Sequence, residues 1–146
     1  MKMENQTKTP KEIAAALKAR DIRPSTIRIK VLSYLTGNYS HPTADMIYRD
    51  LIKEMPTLSK TSVYNTLKAL SSKGVVLELN SDGKEARYDA DVSRHAHFTC
   101  ISCGRLEDIR LKCGESCGGG SMKGYKVYSE LVYMTGLCKK CSKEGN

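Results

Sequence analysis

The sequence predicts an α+β protein in two modules, a helical module that ends in a β-hairpin and a small, cysteine-containing α/β module. All six cysteines follow residue 93, so the two halves differ in their chemistry. Apolar residues recur at helical spacing as far as Leu70 and then change to strand spacing. With no Trp and one Phe in 146 residues, a small second module needs a metal to replace missing apolar packing. We expect the modules to comprise residues 1–90 and 91–146.

Four helices are predicted in the first module from their start and stop signals. The first begins at a capping box, Thr9-Pro10-Lys11-Glu12, and stops before Pro24. The others are expected from Ser25 or Thr26 to Gly37, from Thr43 to Pro56, and from Ser59 to Gly74. The fourth carries its apolar residues on one face, at Val63, Leu67 and Leu70.

A β-hairpin follows the fourth helix. Strand-like runs at 75–79 and 85–88 flank Asp82-Gly83, a dipeptide typical of tight hairpin turns. Short helices followed by a hairpin describe a winged helix-turn-helix, with the fourth helix as the recognition helix and the hairpin as the wing.

The second module is predicted to contain strands near 95–101, 105–111 and 124–136. Between the last two, residues 113–124 read CGESCGGGSMKG and are expected to form a loop.

The charge distribution favours a polyanionic partner. The net charge is +8, and the first 90 residues hold 15 Lys and Arg against 10 Asp and Glu. The polar face of the fourth helix could meet phosphates or base edges through Lys60, Ser62, Tyr64, Asn65 and Lys68. The alternative is a solvated charged face without a partner.

No targeting or membrane segment is evident. The longest apolar stretch near the N-terminus, residues 13–17, is too short for a signal peptide or a bilayer span. We therefore expect a cytoplasmic protein, whose cysteines are thiols or metal ligands before they are disulfides.

Two Cys-x-x-Cys pairs form the strongest chemical signal. Cys100 and Cys103 make one pair, Cys138 and Cys141 the other, which is the spacing of a structural Cys₄ Zn²⁺ site. The alternative is two dithiol redox centres, but these favour a thioredoxin-like βαβ pattern that the sequence lacks.

The three histidines suggest a second metal site. His95 and His97 are two residues apart in a strand-like run, so their rings share a face. Together with His41, Asp89 and Asp108 they offer nitrogen and oxygen ligands suited to Fe²⁺, Mn²⁺ or Zn²⁺. Spacing alone equally allows exposed strand residues and a histidine in a turn.

Cys113 and Cys117 lie outside the two pairs. They could form a redox-sensitive pair, but two spare thiols are the favoured interpretation. The glycines at 118–120 are not followed by the Gly-Lys-Ser/Thr of a phosphate-binding loop.

Several motifs in order resemble those of the ferric-uptake-regulator (Fur) family over about residues 10–143. These are HPTADMIY from His41, TSVYNTL from Thr61, HAHFxCxxCG from His95 and GLCxxC from Gly136. Within the family, the chain is most similar to the peroxide-sensing subgroup. Asn65 matches that subgroup, whereas iron-sensing members usually carry Arg there.

The resemblance implies a metal-dependent repressor that forms a homodimer and binds a palindromic operator in double-stranded DNA. It implies Fe²⁺ or Mn²⁺ held by a regulatory set, and oxidation by peroxide at His41 or His95 in the iron form. That set is His41, Asp89, His95, His97 and Asp108. The runner-up is an iron, manganese or zinc homeostasis repressor without peroxide sensing.

The Gly-rich segment at 113–124 departs from the family pattern. Relatives usually have a dimerisation helix there, so the resemblance does not predict how this chain makes its dimer. Two other classes of function are alternatives to a repressor: an enzyme, either a small metal hydrolase or a dithiol oxidoreductase, and a zinc-ribbon adaptor that binds protein. The sequence shows no nucleophile-and-base pair, so we expect neither an enzyme nor a small-molecule substrate.

Overall fold

The computed structural model describes residues 8–80, 85–111, 124 and 130–144. The chain divides into two compact units, Met1–Val92 and Ser93–Asn146.

The first unit contains four helices: α1 (Pro10–Lys18), α2 (Thr26–Thr36), α3 (Ala44–Leu51) and α4 (Lys60–Ser72). Each begins after a Ser or Thr whose side-chain oxygen accepts a hydrogen bond from a backbone N–H of the first turn. The capping box at Thr9 and Glu12 is present. The predicted helix starts are therefore confirmed.

Helix α1 stops before Pro24, as predicted, whereas helix α3 ends earlier than the sequence predicts. After α1 the backbone is left-handed at Asp21 (φ 55°), and the N–H of Ile22 bonds the carbonyl of Leu17. This turn closes the helix before Pro24 is reached. Helix α3 stops at Leu51 rather than Pro56, because the following residues form a turn.

The hairpin is present as β1 (Leu77–Leu79) and β2 (Arg87–Asp89), which pair antiparallel with Leu79 opposite Arg87. Residues 81–84, with the predicted Asp82-Gly83 turn, lie outside the described part. The order of four helices and a hairpin matches the predicted winged helix-turn-helix.

One hydrophobic core joins the helices to the hairpin. Val63, Leu67 and Leu70 of α4 are fully buried, as their spacing predicts. They pack in one cluster with apolar side chains of α1, α2 and α3 and with Val76 and Tyr88. This packing fixes which face of α4 remains exposed.

The second unit contains a three-stranded sheet of β3 (Ala96–Cys100), β4 (Leu106–Ile109) and β5 (Val132–Gly136), in the order β4-β3-β5. Strand β3 pairs antiparallel with β4 and parallel with β5. A short helix, α5 (Cys141–Glu144), follows.

Part of the predicted second module lies outside the described residues. This applies to Cys113, Cys117 and nearly all of the Gly-rich segment, and to most of the stretch before β5. Within the described part, no helix has the length and apolar character needed to cross a bilayer.

Candidate functional site

The parallel pairing of β3 with β5 brings the two Cys-x-x-Cys pairs together. Cys100 ends β3 and stands in register with Gly136, the last residue of β5, so both strands leave the sheet at the same edge. The first pair turns back through Gly104, which is left-handed (φ 70°). The second pair follows β5 directly and leads into α5.

The four sulfur atoms form one cluster, all within 4.8 Å of one another. The Sγ atoms of Cys103 and Cys138 lie 3.9 Å apart. Four sulfurs bound tetrahedrally at ~2.3 Å from Zn²⁺ are about 3.8 Å from one another. The donor set and its spacing therefore fit Zn²⁺.

Backbone hydrogen bonds favour the thiolate form of two of the four cysteines, Cys100 and Cys138. N–H groups of Cys103 and Cys138 point at the sulfur of Cys100 and lower its pKa to about 6. The Cys138 N–H lies 3.3 Å from that sulfur. The N–H of Cys141 likewise lowers the pKa of the Cys138 thiol. Thiolate is the form that binds zinc.

In the first unit, the predicted ligands His41 and Asp89 are both buried and adjacent. Nε2 of His41 lies 3.4 Å from Oδ2 of Asp89. The other carboxylate oxygen, Oδ1, accepts a hydrogen bond of 2.8 Å from the backbone N–H of Asp91. One oxygen of Asp89 is thus held by the backbone while the other faces the imidazole.

In the second unit, Asp108 stands directly opposite His97 across the β3–β4 pair. Oδ1 of Asp108 is 3.1 Å from Nδ1 of His97 and 3.5 Å from Nε2 of His95. The two rings share a face of the strand, with centroids 4.4 Å apart. Both histidines are buried, so the interpretation of exposed strand residues does not hold for them.

A backbone contact sets the tautomer of His95. Its Nδ1–H donates to the carbonyl oxygen of Ser93 at 2.8 Å. In a neutral ring this leaves Nε2 as an acceptor facing a carboxylate oxygen of Asp108, an arrangement that a cation stabilises.

The spacings within each unit suit metal ligands. Neighbouring ligands around an octahedral ion with bonds of ~2.1 Å lie about 3.0 Å apart. The observed separations between imidazole nitrogen and carboxylate oxygen run from 3.1 to 3.5 Å. Imidazole and carboxylate are a donor set for Fe²⁺, Mn²⁺ or Zn²⁺.

The polar face of α4 is exposed at four of the five predicted positions, Lys60, Tyr64, Asn65 and Lys68. Lys60 and Ser62 lie close to polar side chains of the same unit. Nζ of Lys60 lies 3.0 Å from the carboxylate of Asp45, which raises the pKa of Lys60. The hydroxyl of Ser62 is 2.8 Å from that of the capping residue Ser59.

Sequence reasoning missed the residues that hold the histidines and carboxylates in place. These are Arg87, whose guanidinium bonds the carbonyl of His41, and the backbone groups of Asp91 and Ser93. Backbone donors and acceptors leave no trace in residue spacing. For Arg87, the sequence offers one indication of a role at the site, which is its position two residues before Asp89 in a predicted strand.

The match to a known protein family covers most of the chain. The ferric uptake regulator family model matches residues 19–134.

The chain belongs to the ferric uptake regulator family.

Named relatives within the family include peroxide regulators. The peroxide operon regulator of Bacillus subtilis is 33% identical over 138 residues, covering 93% of this chain and 95% of the relative. The peroxide-responsive repressor PerR of Staphylococcus epidermidis is 30% identical over 137 residues, covering 92% and 91%. The Campylobacter jejuni peroxide stress regulator superposes with a TM-score of 0.68 at 28% identity, covering 92% and 99%.

Ferric uptake regulator proteins are metal-dependent transcriptional repressors rather than enzymes, and they bind DNA and act as dimers. The predicted fold class, family and metal chemistry are thereby confirmed.

Proposed function

We propose that this chain is a peroxide-responsive repressor whose regulatory ion is Fe²⁺ or Mn²⁺. The observation that carries the proposal is the pairing of all three histidines of the chain with carboxylates. Each has a ring nitrogen within 3.5 Å of an aspartate oxygen, and each is buried. The similarity to named peroxide regulators supports the same function.

The regulatory ligands we propose are His41 and Asp89 of the first unit with His95, His97 and Asp108 of the second. Since these five are drawn from both units, an ion that they share favours the arrangement in which all five reach it. Metal affinity and the population of the DNA-binding form are then linked, because the ion binds one form more tightly.

Peroxide sensing is assigned to the iron form. Ferrous iron, when bound, would activate peroxide by electron transfer, which Mn²⁺ does not support. We propose that the ring of His41 or His95 gains one of the two peroxide oxygens while the other leaves as water. Peroxide is the two-electron oxidant of the imidazole in this step, and the oxidised ring is a weaker ligand. Loss of the ion then releases the DNA.

The first unit is the proposed DNA-binding domain. Lys60 and Lys68 of α4 would bind phosphates, and Ser62, Tyr64 and Asn65 would reach phosphates or base edges. The second unit, held by Zn²⁺ on the four cysteines, would make the homodimer, so that two α4 helices read a palindromic operator. We place the protein in the cytoplasm, where its DNA is.

The proposal is tested with a duplex selected from a random library by the Mn²⁺-loaded protein. Fluorescence anisotropy should show tight binding with Mn²⁺ or Fe²⁺ and weak binding after chelation. A small dose of peroxide should abolish binding of the iron form and leave the manganese form bound.

Other outcomes identify the alternatives. Equal resistance of both metal forms to peroxide would contradict peroxide sensing and favour a metal homeostasis repressor. DNA binding of equal strength with and without metal would contradict the regulatory site. Substrate turnover by a variant that no longer binds DNA would favour a metal hydrolase or a dithiol oxidoreductase.

A further inference from the structure

His41 has an unusual backbone conformation. Its φ of 50° lies in the left-handed region, which residues with a Cβ seldom occupy. The next residue is Pro42, and residues before proline favour extended backbone instead. Such a conformation persists only where the surrounding structure holds it.

Strand β2 supplies the contacts that hold it. Nη1 of Arg87 donates a hydrogen bond of 2.9 Å to the carbonyl oxygen of His41, in a partly buried setting. The backbone N–H of Tyr88 donates to the carbonyl of Pro42 at 3.0 Å. This bond belongs to an antiparallel bridge that pairs Thr43 with Arg87. Three consecutive residues are thus fixed to one strand.

Arg87 and Asp89 contact different parts of His41, its backbone and its ring. They are two residues apart on β2, so their side chains leave the same face of the strand. Arg87 holds the backbone carbonyl of His41, while Asp89 lies 3.4 Å from its ring. Strand β2 therefore contacts both the backbone carbonyl and the imidazole ring of His41.

We propose that Arg87 is a positioning residue for the regulatory metal site, because its guanidinium holds His41 in the left-handed conformation that directs the imidazole to the ion. This inference rests on the proposed function, in which His41 is a ligand. A guanidinium offers hydrogen-bond donors and no lone pair for a metal, so Arg87 is not itself a ligand. It acts through the backbone of the ligand, as residues behind metal ligands commonly do.

The test compares Arg87→Met with Arg20→Met in the full-length protein with its zinc. Methionine keeps an apolar stem and removes the donors. Arg20 is the matched control because its Nη1 also donates to a backbone carbonyl, that of Lys73 at 3.2 Å, and its loss removes the same charge. Binding of Mn²⁺ is measured from the electron paramagnetic resonance signal of the unbound ion.

Arg87→Met should weaken Mn²⁺ binding by about 10- to 100-fold, the usual range for residues that support a ligand. Arg20→Met should bind like the wild type. Arg87→Lys should recover part of the affinity, since an ammonium still donates to the carbonyl. In the metal-free protein, the His41 ring resonances should shift in Arg87→Met only. Equal Mn²⁺ affinities in the two methionine variants would overturn the proposal.

Two further comparisons keep the result decisive. If Arg87→Met does not fold, Arg87→Lys decides: it should bind Mn²⁺ more weakly than the wild type, and equal affinity would overturn the inference. His41→Ala separates the two claims. Wild-type Mn²⁺ affinity in His41→Ala would remove the proposed ligand set itself, whereas loss of affinity there but not in Arg87→Met would refute only the role of Arg87.

Discussion

The polar residues of α4 that are predicted to contact DNA differ in the side-chain contacts that they make in the protein without DNA. Lys60 bonds the carboxylate of Asp45 and lies 5.7 Å from the ring centre of Tyr48. Tyr64, Asn65 and Lys68 project from the exposed face, with Tyr64 45% exposed. Since the ion pair with Asp45 has to break before Lys60 reaches a phosphate, we expect the readout of DNA to depend more on Asn65 and Lys68 than on Lys60.

Asn65→Arg should change operator preference more than overall affinity. An asparagine amide suits adenine, whereas an arginine guanidinium suits guanine, and each good pair discriminates by about 1–3 kcal/mol. Anisotropy titrations against two duplexes, one selected by the wild type and one by the variant, measure this. If both duplexes respond equally to the substitution, Asn65 is not a base reader.

Lys68→Met should weaken binding to all duplexes alike and reduce the slope of log affinity against log salt by about 1, as expected for one lost phosphate contact. Lys60→Met should reduce the slope less, because Asp45 already offsets its charge. Lys30→Met is the control, since Lys30 lies on α2 and pairs with Glu54. Identical slopes for all three variants would argue against a specific phosphate contact at Lys68.

At the level of elements, the two cysteine pairs are held by the ends of parallel strands and a short helix, and the described residues of this unit contribute few buried apolar side chains. Many large apolar side chains of the second unit are exposed, including Ile101 at 72% and Leu137 at 49%. Metal ligation therefore has to supply stability that a core would otherwise give.

Cys100→Ser should abolish zinc binding and unfold the second unit while α1–α4 remain helical. The paired Cys113→Ser, Cys117→Ser variant is the control, because those thiols lie outside the two Cys-x-x-Cys pairs. Zinc content by a colorimetric chelator, with circular dichroism, gives the readout. A stable dimer of Cys100→Ser without zinc would show that the metal is dispensable for folding.

Sequence patterns predicted the elements better than their arrangement. The helix starts were predictable because Ser and Thr caps act within one turn, and the strands because side chains alternate locally. The parallel pairing of β3 with β5 was not, because it joins residues far apart in sequence and leaves no local signal. The left-handed backbone of His41 was also hidden, since Pro42 argues for the opposite conformation.

For the whole molecule, the division of the proposed ligands between two units is the feature that would make metal a switch. The basic excess lies mainly in the first 90 residues, with 15 Lys and Arg against 10 Asp and Glu, as suits the proposed DNA-binding role of the first unit. The second unit carries the cysteine cluster and three of the five proposed regulatory ligands. Cys113 and Cys117 allow one rival route, in which the Gly-rich segment responds to oxidant through its thiols.

The most direct test of peroxide sensing is mass spectrometry of the protein loaded with Fe²⁺ or with Mn²⁺, before and after a small dose of peroxide. We expect a gain of one oxygen on the peptide containing His41 or His95, in the iron form only. Oxidation of neither peptide would contradict it and favour a metal homeostasis repressor, and oxidation confined to Cys113 and Cys117 would make the Gly-rich segment the sensor.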